Sequence, residues 1–577
     1  MGRVLDKKLA RCALGLAWTV ALAACGGGGG GPMFPPFLTA PAAPGDSASV
    51  PVPTAAEDPV ASSPAVPPLD PAAPLQPANP PTAVPEAPVV PPAPPAPEPR
   101  EDIVKSSDVA AQCAAPRTGI DPSTGAAFTD LQGTLALEKS WVRGWIDETY
   151  LWYDEVPTYL LAKDYATPVT YFDVLKTPKL TASGKPKDRF HFTANTEQAR
   201  ALSQNGTEIG YGMQLAFISA SAPRDIRVAF TEPGSPAAQA AVARGDRLIE
   251  IDGIDAVNGT EVDSLNAAIA PQRAGVQHSF KLRANDGTER ILTLASASIT
   301  RDPVPTLNAF TLPGGKRVGY MLFNEHIATA EYWLTATMEL FQSIGITDLV
   351  IDMRYNGGGY LDIASQLAYM VSSSAATQGK TFERLQYNRK NPFQLTPEQT
   401  IVPFHPTALG FSEDAGLPMS AGYALPQLGL SRVTVLSGPD TCSASESVVN
   451  SLRGIGITVD LVGGGTCGKP YGFTPQDNCG TSYYAIQFQG VNDKGFGDYG
   501  DGFKPTCAVV DDFTHALGDP KEARLAVALH LLGGGVCPTP PSSVSKGDIA
   551  MRKAEAERVP YLVRSPILEN RLLRPGR

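Results

Sequence analysis

Thr347-Asp348-Leu349-Val350-Ile351-Asp352-Met353-Arg354-Tyr355-Asn356-Gly357-Gly358-Gly359 reads as a strand that runs straight into a glycine-rich turn. Its apolar residues are consecutive rather than alternating, as in a strand covered on both faces. Glycine after such a strand lets backbone N–H groups approach a ligand with no Cβ in the way. A plain strand-to-helix turn uses glycine for the same steric reason, so the remaining sequence has to decide between the two.

Outward from this stretch, strand and helix patterns alternate. Val318–Phe323 reads as a strand, Thr329–Ile344 as an amphipathic helix, Ile363–Val371 as a helix, Val433–Ser437 as a strand and Ser445–Arg453 as a helix. The order predicts an α/β core over 301–540.

Within that core, Thr441-Cys442-Ser443-Ala444-Ser445-Glu446 opens a helix, and Thr466-Cys467-Gly468-Lys469-Pro470 follows about two dozen residues later. Ser443 to Glu446 is a Ser-x-x-Glu capping box, a common helix start. A helix start also offers N–H groups beside the serine, suited to an oxyanion. Lys469 is the single charge in Leu461–Phe473, so it is a candidate buried amine able to deprotonate an alcohol. The other Ser-x-x-Lys match, Ser543 to Lys546, adjoins a proline cluster with nothing to desolvate its lysine, and is set aside.

Upstream, 196–300 carries strand-like segments. Ile209-Gly210-Tyr211-Gly212-Met213-Gln214-Leu215 and Ile226–Phe230 are followed by Gly234-Ser235-Pro236-Ala237 and by Arg244-Gly245-Asp246-Arg247-Leu248-Ile249-Glu250-Ile251-Asp252-Gly253. This order resembles a PDZ domain, with Gly210, Tyr211, Gly212 and Met213 in the place of its carboxylate-binding loop. There, backbone N–H groups receive a peptide's terminal carboxylate and an adjoining strand edge receives its chain. Ahead of it, Trp141, Trp145, Ile146, Thr149 and Trp152 recur at helical spacing and predict a core-facing helix over 138–153, in a small helical region spanning 103–195.

Taken in order, residues 210–253, Asp352–Gly359, Ser443–Glu446 and Gly468-Lys469 resemble the C-terminal processing (tail-specific) serine peptidases. The resemblance covers about 200–475. It implies a crotonase-like ββα core, Ser443 as nucleophile and Lys469 as general base. It also implies an oxyanion hole from the N–H of Ala444 and of Gly357 or Gly358, no metal, and substrates selected by their C-terminal ends. The sequence departs from the family after the base, where Phe473 stands in place of a glutamine often found four residues beyond the lysine.

The chain has 577 residues and a formal net charge of -11, which argues against nucleic acid as a partner. Arg3, Lys7, Lys8 and Arg11 precede an apolar run ending Leu22-Ala23-Ala24-Cys25, a pattern resembling the lipobox of bacterial lipoproteins. That resemblance implies removal of 1–24 and lipid on Cys25, hence a place in the bacterial cell envelope with the membrane as a partner. A glycine- and proline-rich linker over 25–102 fits a spacer, and 541–577 reads as a peripheral tail.

Six cysteines remain after Cys12 and Cys25. In an exported chain an even number predicts disulfides, with Cys467–Cys479 and Cys507–Cys537 as the expected local pairs. Cys442 beside the serine offers a further bridge that would stiffen the site. No CxxC pair favours zinc, and the Asp/Gly-rich 492–502 lacks the spacing of a calcium loop, so no metal or cofactor is expected. His326 is expected as a partly exposed structural histidine. The predicted function is a serine endopeptidase of the cell envelope; a non-catalytic scaffold with a vestigial peptidase domain is the alternative.

Overall fold

The computed structural model describes residues 102–122, 124–538 and 571–573. The export segment, Cys25, all but the end of the linker, and most of the tail lie outside the described residues.

A six-stranded sheet carries the site. Its strand order is Thr306–Thr311, Arg317–Leu322, Asp348–Asp352, Arg432–Ser437, Thr458–Gly463 and Cys507–Ala508. The first pair is antiparallel and the rest are parallel. Alternate side chains go to opposite faces. Leu349, Ile351, Val433 and Val435 join the larger core, beneath helices Ala330–Ser343, Leu361–Val371 and Ala444–Gly454. Val318, Tyr320, Val350 and Leu436 face Leu525 and Ala528 of helix Ala523–Leu532. Two covered faces account for the unbroken apolar run that opened the sequence reading. The parallel strands also bring their C-terminal ends, and the loops that leave them, to one edge of the sheet, where ligands gather in open α/β folds.

The 207–300 stretch forms its own module. Strands Glu289–Ala295, Gln277–Arg283, Arg247–Ile251, Asp225–Thr231 and Met213–Ser219 lie in that order, so Met213–Ser219 is an edge. Helix Val262–Ile269 packs Val262, Leu265 and Ala268 into the module's separate core. Strand Thr207–Gly210 pairs antiparallel with Ala297–Thr300 and closes the module at its base.

The first long helix is Leu135–Thr149, capped by Thr134. Trp141, Trp145, Ile146 and Thr149 are buried along it as expected. Trp152 is not on the helix: Tyr150 already has extended backbone, and Trp152 instead places its ring edge-on to Tyr471. Nor is the region purely helical. Strand Phe192–Asn195 pairs with Thr481–Tyr484, which ties the N-terminal part to the loops that follow Lys469.

Disulfides join Cys113–Cys479, Cys442–Cys467 and Cys507–Cys537. The expected Cys467–Cys479 pair is therefore incorrect. Cys479 is taken by a partner 366 residues away, and Cys467 lies opposite Cys442 with Cα atoms 5.2 Å apart. Among the described residues, no helix is long and apolar enough to cross a membrane.

Candidate active site

Strand Asp352 ends where Arg354 turns inward. The guanidinium is buried and pairs with Asp352 at 2.9 Å, Glu522 at 2.7 Å and Asp511 at 2.8 Å. Asp511 is shared with Arg244 of the 207–300 module at 2.9 Å, and the Arg244 guanidinium also donates to the Tyr355 hydroxyl. Burial opposes the charge on Asp511, but the three arginines Arg524, Arg354 and Arg244 outweigh it and hold the carboxyl well below the usual range. The turn is thus anchored from behind by a buried ionic cluster. Removing one partner of such a cluster leaves a buried charge uncompensated.

Asn356 organises the next step. Its Oδ1 accepts from the Gly358 N–H at 3.0 Å and from the His326 ring Nδ1 at 3.1 Å. Its Nδ2 donates to Phe323 O, and its own carbonyl accepts from Cys442 N–H and the Ser445 hydroxyl, both at 3.0 Å. One residue therefore fastens the glycine turn to the segment bearing Ser443. Gly358 and Gly359 have φ of 107° and 135°, and a Cβ on Gly359 would come within 2.3 Å of His326 O. Only glycine fits there.

Of the two glycines named for the oxyanion hole, Gly358 has its N–H committed to Asn356. Gly357 N–H donates to no described residue. Ala444 is the first residue of its helix, so its N–H has no intrahelical acceptor. These two N–H groups are the ones left to receive an oxyanion.

Ser443 lies at the helix N-cap with φ 61° and ψ -115°. A non-glycine residue held in such a region costs about 1–3 kcal/mol and persists where its surroundings impose it. Its Oγ is buried and makes no hydrogen bond with any described residue. Lys469 is also buried, with Nζ 4.9 Å from the Phe190 ring centroid and 4.5 Å from that of Phe473. Removal from water penalises the ammonium, and the two ring faces offset part of that penalty.

Glu446 brings the two segments together. Its Oε2 accepts from Ser443 N–H at 3.1 Å and from Lys469 N–H at 2.8 Å. Those backbone nitrogens are therefore no further apart than the two bonds laid end to end, about 5.9 Å. Its Oε1 accepts from Gly468 N–H at 2.8 Å and from the Thr466 hydroxyl. Burial pushes this carboxyl upward, opposed by the Thr466 hydroxyl and the backbone donors, which favour its charged form. The Cys442–Cys467 bridge adds a covalent tie between the same segments. Cys442, Glu446 and Cys467 also form a cluster of metal-ligating type, but both thiols are consumed in the disulfide.

His326 departs from expectation, being fully buried rather than partly exposed. Asn356 Oδ1 can only accept, so the proton sits on His326 Nδ1. Burial lowers the imidazole to about 3, against the favourable bonds to Asn356 and Gly358. The unfolded chain, with an ordinary histidine near 6.5, binds a proton that the folded chain refuses, so stability falls as pH drops below about 6.5. Urea unfolding should show the wild type losing about 1.4 kcal/mol more than His326→Gln between pH 7.5 and 5.5. An identical pH dependence in the two proteins would show that His326 is not held neutral.

In the 207–300 module, Gly210 ends its strand, Tyr211 is buried, and Gly212 turns with φ 73° so that Met213 starts the edge strand. The Gly212 carbonyl accepts from Glu232 N–H, and a Cβ on Gly212 would come within 2.1 Å of Ser235. This loop and the edge strand wall a cavity of about 630 Å³ that Leu215, Phe217, Ile269 and Leu202 also line. Burial raises the Tyr211 phenol to about 12. The cavity lies beside the module, apart from the Ser443 segment, so the structure separates the predicted residues into two places.

Sequence reasoning read Glu446 only as a helix cap and did not single out Asn356, Phe190 or Thr466. The signal for Asn356 was its position directly before the glycines; the other roles depend on contacts across the fold.

Two stretches of the chain match known peptidase families. Residues 317–492 match peptidase family S41, and residues 138–192 match the peptidase S41 N-terminal domain. A carboxyl-terminal-processing protease of Picosynechococcus sp. is 29% identical over 178 residues, 30% of this chain and 41% of the relative. A chloroplastic C-terminal processing peptidase of Tetradesmus obliquus is 26% identical over 247 residues, 40% of this chain and 51% of the relative. The chain thus spans about half, or less, of the length of these curated relatives. A crystal structure assigned as an S41 protease from Bacteroides fragilis superposes with a TM-score of 0.51 at 21% identity, covering 68% of this chain and 97% of that one. Its likeness is one of fold, a mixed α/β S41 protease fold. Over residues 138–192 and 317–492 the chain is similar to peptidase family S41.

Proposed function

We propose that the protein is a serine endopeptidase that hydrolyses polypeptides through Ser443 and Lys469. The observation that carries this reading is the single Glu446 carboxylate on which the Ser443 and Lys469 backbones converge. In the neutral form, the Lys469 amine takes the Ser443 proton as Oγ attacks the scissile carbonyl. Ala444 and Gly357 N–H groups receive the developing oxyanion. The amine then returns its proton to the leaving nitrogen, and water hydrolyses the acyl-enzyme by the reverse sequence. Imidazole chemistry is not needed, and His326 instead positions the turn through Asn356.

The 207–300 module, by this reading, captures substrate ends at Gly210–Met213, with an apolar terminal side chain against Leu215, Phe217 and Ile269. An unfolded polypeptide with a free apolar C-terminus should show a KM about tenfold or more below that of the same chain amidated, the cost of a lost charge-assisted hydrogen bond. Equal KM values would remove the module from substrate capture.

Lipid attachment at Cys25 and a position at the bacterial cell envelope complete the proposal. The sequence Leu22-Ala23-Ala24-Cys25 supports it, as do three disulfides, which persist in oxidising compartments.

A further inference from the structure

We propose that the chain's own C-terminal segment, Arg571–Leu573, occupies the strand position that a polypeptide substrate takes beside the glycine turn, so that substrate must displace it. The proposal rests on reading the Ser443 and Lys469 segments as a peptidase site.

Arg571–Leu572 pairs in parallel with Gly359–Tyr360, in the register Gly359 to Arg571 and Tyr360 to Leu572. Gly359 is the second residue after Gly357, the glycine whose N–H is left for the oxyanion. The same tail strand also lies against Tyr471–Gly472, which begins two residues beyond Lys469. The segment therefore touches both the stretch that follows Gly357 and the stretch that follows Lys469. Leu573 is 8% exposed and belongs to the same core as Tyr360, Ala444 and Phe473. Ser443 and Lys469 are 0% and 1% exposed, so a substrate reaches neither in this arrangement.

Strand addition to a short backbone edge is a general way of holding an extended polypeptide. A pair of two residues makes few backbone bonds, each with a net worth of about 1 kcal/mol. Such a contact is weak between separate molecules. Tethering raises the segment's effective concentration to the order of 1 mM, enough to keep a weak site filled. A longer substrate strand, with more backbone bonds and a second hold at the 207–300 module, can still displace it. The geometry thus describes occlusion in cis that is reversible by substrate.

Two measurements test it. Removing residues 570–577 from the full chain should raise kcat/KM on unfolded casein about tenfold, chiefly through KM. A fluorescent peptide of residues 566–577 should bind saturably to the truncated chain carrying Ser443→Ala, and about tenfold more weakly to full-length Ser443→Ala, where the tail competes. If the truncated chain does not fold, Leu573→Asp in the full chain gives the same two readouts. Absence of peptide binding, or unchanged kcat/KM on removing the tail, overturns the proposal. The binding arm needs no turnover: a peptide that binds and competes in a protein that never cleaves casein keeps the tail site and defeats the peptidase reading instead.

Discussion

Ser443→Ala is expected to lower turnover of an unfolded polypeptide by at least about 10,000-fold while leaving the melting temperature unchanged or higher. Loss of a nucleophile in a serine peptidase removes the covalent route altogether, and the residue that remains reflects binding and oxyanion stabilisation alone. Stability should not suffer, because the Oγ is buried without a hydrogen bond to any described residue. Deleting it forfeits no partner and removes an unsatisfied polar atom, which is neutral or favourable. Alanine keeps the strained φ of 61°, so Ser443→Gly should be the more stable of the two inactive variants. Activity and thermal unfolding measured on the same preparations separate a catalytic loss from a folding loss. Retained activity in Ser443→Ala would remove the serine from the mechanism.

Lys469→Met and Lys469→Arg should both lose about 100- to 10,000-fold in kcat, the usual contribution of a positioned general base. Methionine keeps a long unbranched side chain at a position where the Lys469 Nζ lies over the Phe190 and Phe473 rings, but it carries no basic nitrogen. Arginine keeps the charge yet stays protonated at any working pH, so it cannot accept the Ser443 proton. In the wild type, kcat/KM should rise with pH as the amine loses its proton. Both variants should lose that limb of the profile, a change that a purely structural lysine would not produce. Substantial activity in Lys469→Arg would mean that the residue acts as a fixed charge rather than as a base.

Much of the architecture was legible from local pattern. Leu349 to Ile351 and Leu361 to Val371 carry signals that depend on burial alone, and the glycines after Asp352 announce a backbone no other residue can follow. Burial of Lys469 was legible because no other charge lies in Leu461–Phe473. Features that depend on distant partners were not. Cys479 reaches back 366 residues to Cys113, and nothing near Cys479 in the sequence indicates that. Glu446 satisfies its local capping role at Ser443, which conceals its hold on Gly468 and Lys469. His326 follows Asn324 and Glu325 in sequence yet is buried at the glycine turn, where its backbone bonds to Gly358 O and Tyr360 N–H. Arg571–Leu572 is too short for any periodicity to show, and only the fold brings it to Gly359–Tyr360.

The central claim is that the Ser443 hydroxyl becomes covalently acylated with help from the Lys469 amine. Treating the folded protein with a fluorophosphonate and mapping the modified peptide by mass spectrometry tests it most directly. A single adduct on Ser443, formed far more slowly in Lys469→Met, is the predicted result. An adduct on Ser445 or elsewhere, or none on Ser443 in a preparation that still cleaves casein, would contradict it.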